Sequence, residues 1–172
     1  MALLAEEIVE EWLNRDGWFT IRGARIGLSE ADILAVRQER YRHVEVHVSL
    51  RPVSYMTDLP KAAAKEQQRH RHSAKTRSPA LLHECVREWI AKKYDRTEKL
   101  LRRVHDGAWE RELIVNVMRH PEERPIIEEH GIIIHRLAEI VKDLNSKKTP
   151  IQRASGGDLV DLILLQETLK KK

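Results

Sequence analysis

Residues 29–52 read SEADILAVRQERYRHVEVHVSLRP, and this stretch decides the fold that the sequence predicts. Its first part contains the short apolar run Ile33 to Val36, and its last part alternates valine with polar residues from Val44 to Ser49. Both patterns are typical of β-strands. Because the connector, residues 37–42, is short and highly charged, we predict a hairpin of two antiparallel strands.

Two carboxylates share one face of this predicted hairpin. Side chains two apart on a strand point the same way, so Asp32 projects with Glu30, and Glu45 projects with His47. Antiparallel pairing would bring Asp32 close to Glu45. Two carboxylates on buried strands cost free energy unless a cation lies between them, and a hard divalent ion is the usual partner.

This pattern resembles the PD-(D/E)XK nucleases, which share the restriction-endonuclease-like fold. The family signature is an Asp that begins one strand, Glu-X-Lys on the next strand and, in many members, a Glu on the first helix. Asp32 matches the Asp and Glu45 matches the Glu. His47 stands where the family has Lys, so an imidazole would have to orient the attacking water in place of an ammonium group.

Glu6 is the candidate for the helical Glu. It lies seven residues before Leu13 and eleven before Gly17, a spacing similar to that of Holliday-junction resolvases and related small nucleases. The other interpretation is a surface acid near a helix N-terminus, which the helix dipole stabilises. Without the downstream carboxylate pair the surface acid would be the favoured interpretation; with the pair, both interpretations stay open.

The resemblance implies an α/β fold with a mixed sheet, an antiparallel meander followed by parallel strands, flanked by helices. It also implies that Asp32, Glu45 and the Val46 carbonyl bind Mg²⁺ or Mn²⁺, the ions that hard oxygen ligands select. His47 and Glu6 complete the implied catalytic set. The implied activity is metal-dependent hydrolysis of phosphodiester bonds in nucleic acid, with DNA as the expected substrate.

Two other functions stay open at this point. The histidine at position 47 could mark a degenerate site, in which case the protein would bind nucleic acid or a protein partner without cutting it. A purely structural oligomer would instead depend on the C-terminal helix and would not need the carboxylates.

The other segments supply the remaining elements of the predicted fold. Strands are expected at residues 18–22, 112–118 and 132–134, with a turn bracketed by Gly23 and Gly27. Helices are expected at residues 3–13, 61–72, 78–94, 120–130 and 137–144. The alternation of strands and helices in the second half predicts parallel additions to the sheet.

The domain organisation follows from length and composition. A chain of 172 residues can build one domain with a core, and we assign residues 1–145 to it. Residues 146–172 are expected to form a polar linker and an amphipathic helix, which would cover the core or pair with a second copy in a homodimer.

Positive charge is concentrated between Asp58 and Arg77. Six basic residues face two acidic ones there, an excess equal to the net charge of +4 of the whole chain. This segment is a candidate phosphate-binding surface or an ordinary solvated face. The candidate nucleic-acid-binding residues are Lys61, Lys65, Arg69, Arg71, Lys75 and Arg77. We interpret the run His70 to His72 as part of this basic face and not as a metal site.

The sequence predicts a cytoplasmic protein. No apolar run reaches membrane-spanning length, and the N-terminus does not resemble a signal peptide. The single cysteine, Cys85, excludes an intramolecular disulfide and is interpreted as a small apolar residue of a helix.

Overall fold

The structure is a computed structural model that describes residues 2–49, 61–66, 79–118 and 120–146. The strands in these ranges are β1 (Phe19–Ile26), β2 (Ser29–Arg37), β3 (Arg40–His47), β4 (Trp109–Val115) and β5 (Ile132–Arg136). The helices are α1 (Ala2–Arg15), α2 (Lys61–Glu66), α3 (Pro79–Ile90), α4 (Arg96–Leu101), α5 (Glu123–Glu129) and α6 (Leu137–Ser146), with a π-helical segment at Ala91–Asp95. None of these helices is both long and apolar enough to cross a membrane.

The five strands form one mixed sheet in the order β1-β2-β3-β4-β5. The first three strands are antiparallel neighbours, whereas β3, β4 and β5 run parallel to one another. The predicted α/β class is therefore confirmed, as are the antiparallel meander and the parallel strands that follow it. The hairpin between β2 and β3 turns at Gln38 and Glu39, inside the predicted connector.

Helices cover both faces of the sheet. The valines of β3 point to one face, where Val44 and Val46 pack with residues of α1 and α6 such as Leu13 and Leu144. On the other face, α3, the π-helical segment and α5 pack on β4 and β5 around the buried Tyr94. Asp32 and Glu45 belong to this second face, so helices that cover it can reach them.

One predicted turn is wrong. Gly23 was expected to open a turn after a strand ending at residue 22, but β1 continues through it to Ile26. Gly23 lies at φ +63° within the strand, a conformation that glycine adopts without steric cost, and β1 continues past it. The actual turn is at Gly27, where φ is +62°.

The predicted helix at residues 78–94 extends further than expected. From Pro79 the chain passes through α3, the π-helical segment and α4 without leaving helical conformation until Leu101. Cys85 lies buried in this helical run, as its apolar interpretation requires. Several predicted features lie outside the described residues, namely the C-terminal linker and helix, the His70 to His72 run and most of the basic segment.

Candidate metal centre and its charge network

The β2–β3 hairpin brings Asp32 and Glu45 together. Backbone pairing of the two strands is regular as far as Ile33 opposite Val44, which places Asp32 opposite Glu45 at the next position. There the Val46 N–H donates a hydrogen bond to Asp32 Oδ2 over 2.7 Å. The Asp32 side chain thus accepts the hydrogen bond that a backbone carbonyl of β2 would accept in a regular ladder. This contact fixes its carboxylate beside that of Glu45.

Three potential metal ligands converge at this point. Asp32, Glu45 and His47 each offer one ligand atom, and these atoms all lie within 4.8 Å of one another. Glu45 is fully buried, whereas Asp32 and His47 are partly exposed. Opposite ligands of one Mg²⁺ ion lie about 4 Å apart, so a cluster bounded by 4.8 Å is slightly wider than an occupied Mg²⁺ site.

Lys93 also reaches this site, and the sequence analysis did not identify it. Its ammonium group donates to Glu45 Oε2 over 2.7 Å. Burial alone would lower the pKa of Lys93, but the carboxylates of Glu45 and Asp32 raise it above its ordinary value. The group is therefore charged at neutral pH, and it supplies a fixed positive charge next to the carboxylate pair.

The sequence does contain a signal for Lys93. The buried residues Val86, Ile90, Tyr94, Thr97 and Leu101 recur at helical spacing, and Lys93 lies among them three residues after Ile90. A lysine on the inward side of a helix requires a buried acid as its partner. That partner could not be named from spacing alone, because Glu45 is 48 residues away along the chain.

His43 holds the other oxygen of Glu45. Its Nε2 lies 3.2 Å from Glu45 Oε1, and its ring is completely buried against the ring of Tyr94. Burial alone would lower the pKa of His43, but the neighbouring carboxylates of Glu45 and Glu98 raise it. Strand alternation extended two residues back from Glu45 would have placed His43 on the same face.

Glu45 is consequently kept ionised in spite of its burial. Desolvation alone would raise its pKa, but His43, His47 and Lys93 together lower the pKa of Glu45 to about 2. His47 Nε2 lies 3.8 Å from Glu45 Oε2, too far for a good hydrogen bond, so His43 and Lys93 are the main partners. An ionised carboxylate at this position is what a metal ligand requires.

The pKa of Asp32 is shifted in the opposite direction to that of Glu45. Burial and the nearby charge of Glu45 raise the pKa of Asp32, against the lowering effects of the Val46 N–H and Lys93. The pKa of Glu6 is likewise raised, first by burial and then by the charge of Asp32. Glu6 thus lies near enough for the charge of Asp32 to affect its pKa, although it is not one of the three converging ligands. Negative charge at this site exceeds what Lys93 offsets.

The helical cover of the site is itself fixed by ion pairs. Arg111 on β4 binds Glu98 of α4 over 2.7 Å and 2.9 Å and Asp95 over 2.8 Å. Glu98 Oε1 in turn lies 3.8 Å from His43 Nδ1. A chain of charged groups therefore connects the helix that carries Lys93 to the carboxylate that Lys93 contacts.

His47 lies on the edge of the Trp89 ring, with centroids 5.6 Å apart, so an aromatic surface of α3 borders the site.

Of the predicted nucleic-acid-binding residues, Lys61 and Lys65 lie on α2, where Lys65 is exposed. Arg69, Arg71, Lys75 and Arg77 lie outside the described residues.

Comparisons with known proteins add little to this geometry. No protein-family model and no curated protein matches the chain. A crystal structure titled as that of a protein of unknown function, AF1548, is similar at 14% sequence identity with a TM-score of 0.46. The match covers 95% of this chain and 64% of that protein, so this chain spans less than two thirds of its length.

The pH dependence of stability should report the ionised state of Glu45. Because its pKa is lowered from 4.5 to about 2 on folding, its contribution to stability is present above about pH 4.5 and is lost as pH falls towards 2. Glu45→Gln should therefore flatten the acid branch of the stability curve, by up to about 3 kcal/mol between these limits. Urea unfolding in a chelating buffer at several pH values measures this. An acid branch as steep in Glu45→Gln as in the wild type would contradict the assignment.

Proposed function

We propose that this protein is a metal-dependent nuclease that hydrolyses phosphodiester bonds in DNA. The observation that carries the proposal is the convergence of Asp32, Glu45 and His47, whose ligand atoms lie within 4.8 Å of one another. The resemblance of the same residues to the PD-(D/E)XK signature supports the reaction class. The mixed sheet, with its antiparallel meander before parallel strands, is the architecture that this resemblance requires.

The donor set favours Mg²⁺ or Mn²⁺. Asp32 and Glu45 offer hard carboxylate oxygens, and the excess of negative charge around them favours a divalent cation. The Val46 carbonyl would complete the protein ligands. A bound ion would supply Lewis acidity towards the phosphodiester and would lower the pKa of water.

The residues around the carboxylates have separate roles in this proposal. His43 orients Glu45 by holding Oε1, which leaves Oε2 facing Lys93 at 2.7 Å and His47 at 3.8 Å. Lys93, held at Oε2, is the group that offsets negative charge developing on the phosphate. His47 orients water, and its partly exposed ring is accessible to solvent.

The decisive experiment is a cleavage assay on supercoiled plasmid and on single- and double-stranded oligonucleotides. The wild-type protein should cut in Mg²⁺ or Mn²⁺ and should be silent in a chelator, since the ion supplies the main catalytic contribution. Activity that survives chelation, or that persists in Asp32→Ala, would show contamination or a different centre. An RNA oligonucleotide in the same assay determines the substrate preference.

A second candidate function is a nuclease-like protein that binds nucleic acid without cutting it. Lys93 favours this candidate, because its ammonium group already neutralises Glu45 without any ion. Calorimetric titration with Mn²⁺ separates the two. Absence of Mn²⁺ binding together with a lack of cleavage would favour the non-cutting function.

A cytoplasmic location also fits the proposal. Cys85 is the single cysteine of the chain and is buried, so no intramolecular disulfide contributes to the fold. Such a protein retains its structure in a reducing compartment.

A further inference from the structure

A row of basic side chains runs along the outer side of the helical run that carries Lys93. Its members are Lys92 in the π-helical segment, Arg96 and Lys99 in α4, and Arg103 in the turn that follows. All four are exposed. They are separated by four, three and four residues, the spacing that places side chains on one side of a helix. We refer to these four residues as the basic ridge.

The acids of the same helical run are bound by an arginine of the sheet. Arg111 pairs with Glu98, which is buried, and with Asp95, which is exposed. In the part of the chain that the structure describes, the four residues of the basic ridge form no ion pair with an acidic side chain. Their charge is therefore available to a ligand, whereas the neighbouring acids Asp95 and Glu98 both pair with Arg111.

One end of the ridge is next in sequence to a residue that reaches the candidate metal centre. Lys92 precedes Lys93, whose ammonium group contacts Glu45. From there to Arg103 the helix rises by roughly 16 Å, at about 1.5 Å per residue. The cations are consequently about 5 Å apart along a line. A single small anion needs groups that converge on one point, whereas a line of separated cations matches a chain of phosphates.

We propose that the basic ridge binds the phosphate backbone of the nucleic-acid substrate and leads it to the metal centre. This inference rests on the proposed function, because the centre at its end is taken to act on phosphodiesters. The ridge contacts phosphates and not base edges, so it contributes affinity without sequence preference. It lies on the side of the sheet opposite α1 and α6, and the substrate is therefore bound on that side alone.

The test measures binding separately from cleavage. Fluorescence anisotropy with a labelled duplex of about 20 base pairs, in a chelator and over a series of salt concentrations, gives both affinity and salt slope. K92Q/R96Q/K99Q/R103Q should lower affinity about a hundredfold at low salt and reduce the slope by about 3 to 4. R96Q/K99Q should reduce the slope by about 2, and the charge-preserving R96K/K99R should leave it close to the wild-type value.

A matched control removes the same charge from the other side of the sheet. Arg40 is exposed on the side that α1 and α6 cover, where it lies over the Trp18 ring and pairs with Glu110, and Lys142 is exposed on α6. R40Q/K142Q should leave the slope unchanged. An equal fall in R40Q/K142Q and R96Q/K99Q would show that net charge alone matters and would overturn the proposal. Thermal unfolding of each variant verifies that the fold is intact.

The outcomes separate this inference from the proposed function. If K92Q/R96Q/K99Q/R103Q binds DNA with the wild-type affinity and salt slope, and the wild-type protein cleaves DNA, the ridge proposal is wrong and the nuclease proposal stands. If binding weakens in this variant but the wild-type protein cleaves no nucleic acid, the nuclease proposal is wrong and the ridge proposal is supported. If the ridge variant keeps its DNA affinity but no longer binds vesicles that contain phosphatidylserine, the ridge is a membrane surface and the proposal is wrong.

Discussion

Asp32→Asn and Glu45→Gln are each expected to lower kcat/KM for DNA cleavage by about a thousandfold or more, a loss of about 4 kcal/mol of transition-state stabilisation. Both substitutions keep the shape of the side chain and remove a charge from the converging ligand set. The amide oxygen is a weaker ligand for a hard divalent ion than a carboxylate. Initial rates with Mg²⁺ and Mn²⁺, combined with calorimetric titration of the ion, measure both effects.

Glu30→Gln is the matched control for these substitutions. Glu30 projects from β2 on the same face as Asp32, two residues away, but it is exposed and paired with Arg25. Removing its charge should change cleavage by no more than about threefold, because an exposed carboxylate is screened by solvent. If all three variants lose activity equally, general charge around the site and not ligation is responsible. If none loses activity, the nuclease proposal is wrong.

The carboxylate pair could be predicted from the sequence because only local rules were needed. Alternation on the strands and a short connector are enough to place Asp32 opposite Glu45, and the structure confirms this register. The same rules could not show how the site is completed. Asp32 is fixed by the Val46 N–H where the regular pairing ends, a detail that depends on how the two strands separate.

The partners of the pair were missed because they depend on tertiary packing. Lys93 reaches Glu45 from a helix that crosses the sheet, and its direction is set within a π-helical segment. Hydrophobic periodicity predicts a helix there but not a change from α to π geometry. His43 was accessible to the alternation rule, yet its role is evident only when Glu45 is known to be buried.

Charge distribution shows a similar limit. Counting charges along the chain favoured the segment from Asp58 to Arg77, because six basic residues outnumber two acidic ones there. Residues 92–103, which contain the basic ridge, also hold six basic and two acidic residues, so counting charges does not distinguish the two segments. Only the structure shows that Arg111 pairs with both acids of this segment, Asp95 and Glu98, while the cations of the basic ridge are exposed and form no such pair among the described residues.

Cleavage should also depend on Lys93. Lys93→Met keeps the length of the side chain and removes the ammonium group that contacts Glu45 Oε2. Because a fixed charge beside the reacting phosphate contributes about a hundredfold to a thousandfold in rate, we expect kcat to fall by that amount. Mn²⁺ affinity should stay the same or increase, since a cation that competes for Oε2 has been removed. Single-turnover cleavage and calorimetric titration on the same protein measure the two quantities.

This combination distinguishes a catalytic lysine from one that only neutralises buried charge. In the second case Lys93→Met would destabilise the fold, because Glu45 would retain His43 alone as a close partner, and the remaining folded protein would cut at the wild-type rate. His47→Lys provides the matched rescue, since position 47 adjoins the same oxygen of Glu45. If cleavage requires an ammonium group near Oε2, the double variant His47→Lys with Lys93→Met should cut at least about tenfold faster than Lys93→Met alone. A double variant that binds Mn²⁺, folds normally and cuts no faster than Lys93→Met would exclude this role for the lysine.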